Sequence, residues 1–241
     1  MNPLAVELNE KIAAVNPSVL EMLSDLGKRI YFPSKGILSQ AAEAKKLAKK
    51  YNASIGTALE GGQAMYLDSV MSNITGFSAN DALLYAPSQG TAELREIWWQ
   101  KNLHDNPDLK AIACSLPVVT NGLSGALSIA ADLFLNPGDT VLLPDMNWDN
   151  YLLNFEDRCG ANMQYFTFFS GAGLDVAAFR AGLAAQSPGS KVFVILNFPN
   201  NPSGYTATEQ EGCALAQALL ETADRGVQVI VLVDDAYFGL F

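Results

Sequence analysis

One histidine and three cysteines are all that these 241 residues offer of the side chains that most often hold transition metals. His104, in KNLHDNPDL, has no second imidazole to share a metal or complete a Ser/His/Asp triad, which argues against both and leaves it a helix-capping use. Cys114, Cys159 and Cys213 are far apart and odd in number, so reduced thiols and a cytoplasmic setting are expected rather than a disulfide framework. The sequence has no secretory opening and no apolar run long enough to span a bilayer, so no membrane partner is expected. Positive charge is scarce as well. With 15 Lys and Arg against 25 Asp and Glu, the net charge of −10 argues against nucleic-acid binding, which needs clustered cations to displace phosphate counterions. The one basic cluster, KKLAKK at 45–50, sits in the helical pattern AAEAKKLAKK and reads as a solvated helix face.

What is present is globular: 49% hydrophobic and 17% charged residues supply a substantial core. The opening predicts three helices, NPLAVELNEKIAAV, NPSVLEMLSDLGKRI and GILSQAAEAKKLAKKY, divided by Asn-Pro and Pro-Ser-Lys-Gly breaks. Residues 52–90 read as loops, and TAELREIWWQKNL as a helix with Leu94, Ile97 and Trp98 on one face. From 117 onward strands and helices alternate. LPVVT, TVLLP, MQYFTF, KVFVILN and VQVIVLVD are the strands, and Thr208 with Glu211 forms a capping box ahead of the last helix. Such alternation predicts an α/β fold, a mostly parallel sheet with helices on both faces, because parallel neighbours require crossovers. Residues 1–75 are expected to be a helical amino-terminal segment belonging to a small domain, and 76–241 a large domain.

Ligands of open α/β sheets lie beyond the carboxyl ends of the strands. There this sequence places TNGLSG, PDMNWDNY, NFPNNPSGY and DDAYFG. Thr120 to Gly125 joins a strand to a helix N-terminus whose amides suit a phosphate, although a plain tight turn serves equally. Trp148 can stack on a flat ring or fill the core. Pro199 and Pro202 restrict a loop in which Asn201 presents a rigid amide, or forms an Asx turn. Asp234 and Asp235 end an apolar strand, and a buried carboxylate needs a positive partner. A pyridinium meets that need. At about 4 Å and an effective dielectric of 20 the attraction is about 4 kcal/mol before desolvation, or about three pKa units on the ring nitrogen.

In these motifs, in order over about residues 55–241, the sequence resembles the pyridoxal-phosphate enzymes of the aspartate aminotransferase fold, class I/II aminotransferases in particular. The resemblance implies an amino-group transfer between an amino acid and a 2-oxo acid, a pyridoxal 5′-phosphate cofactor, and a homodimer. By it, Gly122, Leu123 and Ser124 fall on the phosphate turn, Trp148 stacks on the ring, Asn201 and Tyr237 bind the ring O3′, and Asp234 pairs with the ring nitrogen. Tyr85, in LLYAPSQGTAELR, reaches the phosphate across the dimer interface, while Gly56, Trp148 and Asn201 contact substrate. The Asn201–Pro202 bond matches a position the family holds cis. The family continues to a Schiff-base lysine and a carboxylate-binding arginine, both expected beyond Phe241, so the large domain is expected to be incomplete here. Lys191, which begins its strand, points to the opposite sheet edge. Another pyridoxal-phosphate reaction, β-elimination or decarboxylation, and a non-catalytic binding module remain open alternatives.

Overall fold

The computed structural model describes residues 1–31, 37–50, 52, 54 and 59–239. It divides into two compact units: Met1–Tyr31 together with Asn121–Phe241, and Phe32–Thr120. Residues 1–31 therefore group with the sheet.

Helices α1 (Pro3–Val15) and α2 (Pro17–Met22) start alike. Asn2 and Asn16 cap them by accepting the amides of Leu4 and Ser18, with proline in the first helical position, where its missing N–H costs nothing. The single helix expected from NPSVLEMLSDLGKRI is broken at Leu23 and Ser24, because Ser24 caps a separate helix, α3 (Asp25–Arg29), by accepting the Gly27 amide at 2.8 Å.

The second unit carries α4 (Ile37–Leu47), a two-stranded hairpin of β1 (Leu59–Glu60) and β2 (Gln63–Ala64), α5 (Asp68–Met71), α6 (Ala79–Leu83) and α7 (Ala92–Asp105). Here two expectations fail. The stretch 52–90, read as loops, carries this hairpin together with α5 and α6, whose turns are closed by local hydrogen bonds such as the Ser78–Asp81 capping box. LPVVT (116–120) is not a strand: Val119 donates its amide to the Gln89 carbonyl and the Pro117 carbonyl accepts from Arg95 Nε, so the backbone groups that a ladder would use go elsewhere.

The remainder builds the sheet. In order come α8 (Gly122–Phe134), β3 (Thr140–Pro144), a π-helical turn Leu152–Asp157, and β4 (Asn162–Phe166); a hairpin of β5 (Phe169–Ser170) and β6 (Gly173–Leu174) leads to α9 (Val176–Ala184). Then follow β7 (Lys191–Asn197), α10 (Glu209–Asp224) and β8 (Gln228–Asp234). The four long strands lie in the order β4-β3-β7-β8, all parallel. Strand alternation splits the apolar run of β7: Val192, Val194 and Leu196 pack with Phe179, Leu183, Leu215 and Ala218 of α9 and α10, whereas Phe193 and Ile195 pack with Leu127 and Ala131 of α8 and with Tyr151 and Phe155. Helices thus cover both faces, and an unbroken apolar strand is what a doubly covered sheet requires. The capping box at Thr208 and Glu211 is present, and Glu211 also accepts the Leu174 amide at 2.7 Å, tying α10 to the β5/β6 hairpin. Ser24 anchors α3 to α8, accepting nothing there but donating its amide to the Leu133 carbonyl and its hydroxyl to that of Asp132.

Candidate active site

All four sheet strands point the same way, so their carboxyl ends share one edge. In register, Asn197 at the end of β7 faces Asp234 at the end of β8. Just beyond them lies a pocket of about 120 Å³ lined by Leu123, Trp148, Tyr151, Asn197, Asn201, Asp234, Ala236 and Tyr237. Five expected site residues, Leu123, Trp148, Asn201, Asp234 and Tyr237, therefore share one wall-to-wall space, although 114 positions separate the first from the last.

Asp234 is the centre of this arrangement. It is 2% exposed, whereas Asp235 is exposed to solvent, as the period of two in a strand requires. Its carboxylate accepts the Tyr151 hydroxyl at 2.6 Å and the Ala236 amide at 3.2 Å. Among the described residues no Lys, Arg or His forms an ion pair with it. Burial, then the hydrogen bond and charge of Asp234, push the Tyr151 phenol far above its ordinary pKa, so Tyr151 is a fixed donor at every physiological pH. Trp148 stands edge-on to Tyr151, ring centres 5.8 Å apart, and Tyr151 in turn leans on Phe155. The aromatic stack locks the phenol that locks the carboxylate.

Asn201 lies in a loop in which Phe198–Pro199 and Asn201–Pro202 are both cis. Neighbouring Asn200, 2% exposed, holds that loop in place: its side chain donates to the Met146 carbonyl and accepts the amide and hydroxyl of Ser203. At the other rim, Gly122 begins α8 with φ of 68°, a conformation that disfavours any Cβ. Asn121 makes no side-chain cap, and the first-turn amides of a helix have no partner within it. Ser124, in that turn, accepts a hydrogen bond from Asn150 Nδ2 at 2.9 Å, which joins the α8 N-terminus to the loop carrying Trp148.

Tyr85 belongs to the second unit and is 73% exposed. Gly56 lies outside the described residues. Lys191 begins β7, about 20 Å along the strand from Asn197 at about 3.3 Å per residue, and its amine is bound at 2.6 Å both to Asp139 and to the Phe134 carbonyl. Three pocket residues, Tyr151, Asn197 and Ala236, are not among the expected ones, and the first two are polar. The signals were there: a tyrosine three positions after Trp148, one helical turn on, and a lone polar residue closing the apolar run of β7.

The family model for aminotransferases of class I and II matches residues 48–241. A protein of Bacillus subtilis (strain 168) named probable N-acetyl-LL-diaminopimelate aminotransferase is 32% identical over 158 residues, which cover 65% of this chain and 37% of that protein. Among solved structures, an aminotransferase from Candida albicans superposes with a TM-score of 0.64 at 14% identity over 89% of this chain and 49% of its own. An aminotransferase from Anaerococcus prevotii does so with 0.57 at 24% identity, over 87% and 51%. At those identities the two structures speak for the fold alone. The chain spans between about a third and about half of the length of these relatives.

Proposed function

The chain belongs to the class I and II aminotransferases, and from that premise we propose that the full-length protein moves an amino group between an amino acid and a 2-oxo acid with pyridoxal 5′-phosphate as cofactor. The observation that carries the proposal is Asp234. A carboxylate 2% exposed, given two neutral donors and no ion-paired cation among the described residues, lacks the counter-charge that a cationic guest would supply. A protonated pyridine ring is such a guest, and the residues around the pocket fit the remainder of the molecule.

When bound, pyridoxal phosphate supplies an electron-withdrawing ring that weakens the bonds at the α-carbon of an attached amino acid. The residues of this chain have the task of binding and orienting it. Asp234 holds the proton on the ring nitrogen. Asn201 and Tyr237 address the ring hydroxyl, and Trp148, half-buried at the pocket wall, covers a ring face and excludes water from it. The first turn of α8, with Gly122, Leu123 and Ser124, takes the phosphate through backbone amides and the helix dipole. Gly56, Trp148 and Asn201 are proposed to meet the substrate. A homodimer is part of the same reading, supported by the high exposure of Tyr85, which a second copy would bring to a phosphate. A cytoplasmic location accords with three cysteines that form no disulfide.

The test is transfer of a 15N-labelled amino group from an amino acid to an unlabelled 2-oxo acid by the full-length protein, followed by NMR. Label appearing in the new amino acid is expected. Release of ammonia or carbon dioxide instead would refute transamination in favour of β-elimination or decarboxylation, and cofactor binding without turnover would leave a binding module.

A further inference from the structure

Asn197 is buried to 3% exposure, yet it is neither a strand-pairing necessity nor part of the apolar core. Its amide spends both ends on backbone. Nδ2 donates to the carbonyl of Asp234 at 3.0 Å, and Oδ1 accepts the N–H of Asn201 at 2.6 Å. The two residues it joins are 33 positions apart in sequence and sit on different elements, the end of β8 and the loop after β7. They are also the two residues assigned above to opposite contacts of one flat ring. A planar amide is a spacer of fixed length, so this side chain adds to the pairing of β7 with β8 a direct link between Asp234 and Asn201. The hydrogen bond from the Phe198 amide to the same Asp234 carbonyl, at 3.2 Å, continues the strand pairing but does not reach Asn201.

We infer that Asn197 is a positioning residue for the cofactor, holding Asp234 and Asn201 at the spacing at which both can engage the same ring. The inference rests on the pyridoxal-phosphate reading. Asn197 does this through backbone, so it acts on where the two contacts stand and not on their chemistry. Asn200 supplies an internal contrast. It is equally buried and lies in the same loop, but its bonds go to Met146 and Ser203 and none goes to Asp234.

The experiment is a thermodynamic cycle in the full-length protein, read by calorimetric binding of pyridoxamine 5′-phosphate, which forms no covalent bond to a lysine. Asn197→Ala removes both hydrogen bonds. Asn197→Leu removes them while keeping the branched shape and heavy-atom count, so that no cavity opens and a loss common to both variants is not a cavity effect. Either folded variant is expected to bind the probe about tenfold more weakly, in the range of coupling between directly bonded residues. In a background already carrying Asp234→Ala and Asn201→Ala the same substitution is expected to change binding by less than about twofold, because there is no longer a spacing to maintain. A purely structural role would leave the loss undiminished in that background, and this result would overturn the inference, as would unchanged binding in the single variants. If Asp234→Ala and Asn201→Ala themselves leave binding unchanged, the cofactor reading fails and this inference falls with it. Weakened binding in those two but not in the Asn197 variants rejects the positioning role alone.

Discussion

Tyr151→Phe isolates one oxygen atom. The substituted ring keeps its edge-on contact with Trp148 and its contact with Phe155, so no cavity opens and the aromatic packing is retained. What disappears is the 2.6 Å hydrogen bond to Asp234, leaving a carboxylate 2% exposed with the Ala236 amide, at 3.2 Å, as its remaining donor. Hydrogen bonds to charged groups contribute about 1.5–3 kcal/mol, and an unsatisfied buried acceptor costs about as much, so a loss near 2 kcal/mol is expected. At about 1.4 kcal/mol per decade that is a shift of more than tenfold in the folding equilibrium of the sheet unit. Urea unfolding of the full-length protein measures it, in a variant whose other tryptophans, Trp98 and Trp99 among them, are replaced by Phe so that Trp148 reports on this unit. The cycle with Asp234→Asn assigns the loss, because that substitution should cost less once the phenol is gone. A change below about 0.5 kcal/mol, the ordinary scatter of surface substitutions, or additive effects of the two substitutions, would refute the view that Tyr151 stabilises the buried carboxylate. The pH dependence carries a sign as well. Since the folded state raises the phenol pKa, its contribution is complete below the ordinary tyrosine range and declines as pH rises above about 10; Tyr151→Phe removes that alkaline decline.

Asp234→Ala is expected to weaken cofactor binding by about tenfold or more, and Asp235→Ala by less than about twofold, since only the first side chain enters the pocket; equal losses in equilibrium binding would contradict the assignment. Glu211, whose pKa is lowered to about 2 by the Thr208 and Leu174 amides, stabilises the fold above the ordinary carboxylate range and loses that contribution as pH falls toward about 2. Acid unfolding of Glu211→Gln should therefore show a shallower pH dependence over that window than the parent. Gly27→Ala would press a Cβ into the carbonyl of Leu133, where backbone cannot yield, and overpacking of this kind costs about 1–3 kcal/mol; thermal unfolding without a lowered midpoint would show that α3 is not held against α8 as described.

The order of strands and helices from residue 140 was legible in sequence because each element's signal is local. The apolar run of β7, the capping box of α10 and the Asn-Pro starts of α1 and α2 each declare themselves within a few residues. The site was legible to the extent that parallel strands send their ends to one edge, which gathers Trp148, Asn201 and Asp234 once the alternation is read. LPVVT shows where local reading fails. A β-branched run becomes a strand only if a neighbouring strand takes its amides, and here Gln89 and Arg95 engage this segment instead. Tyr151 and Asn197 mark the other limit. A tyrosine in a helical turn and an asparagine at a strand end carry no sign of what they touch, because their partners lie 83 and 37 positions away along the chain. Sequence by itself determined that Trp148, Asn201 and Asp234 stand at or beyond the ends of strands that finish at one edge of the sheet. Only the tertiary structure decided which residues there hold the others in place, since a hydrogen bond between distant residues exists only after the strands that carry them have been set side by side.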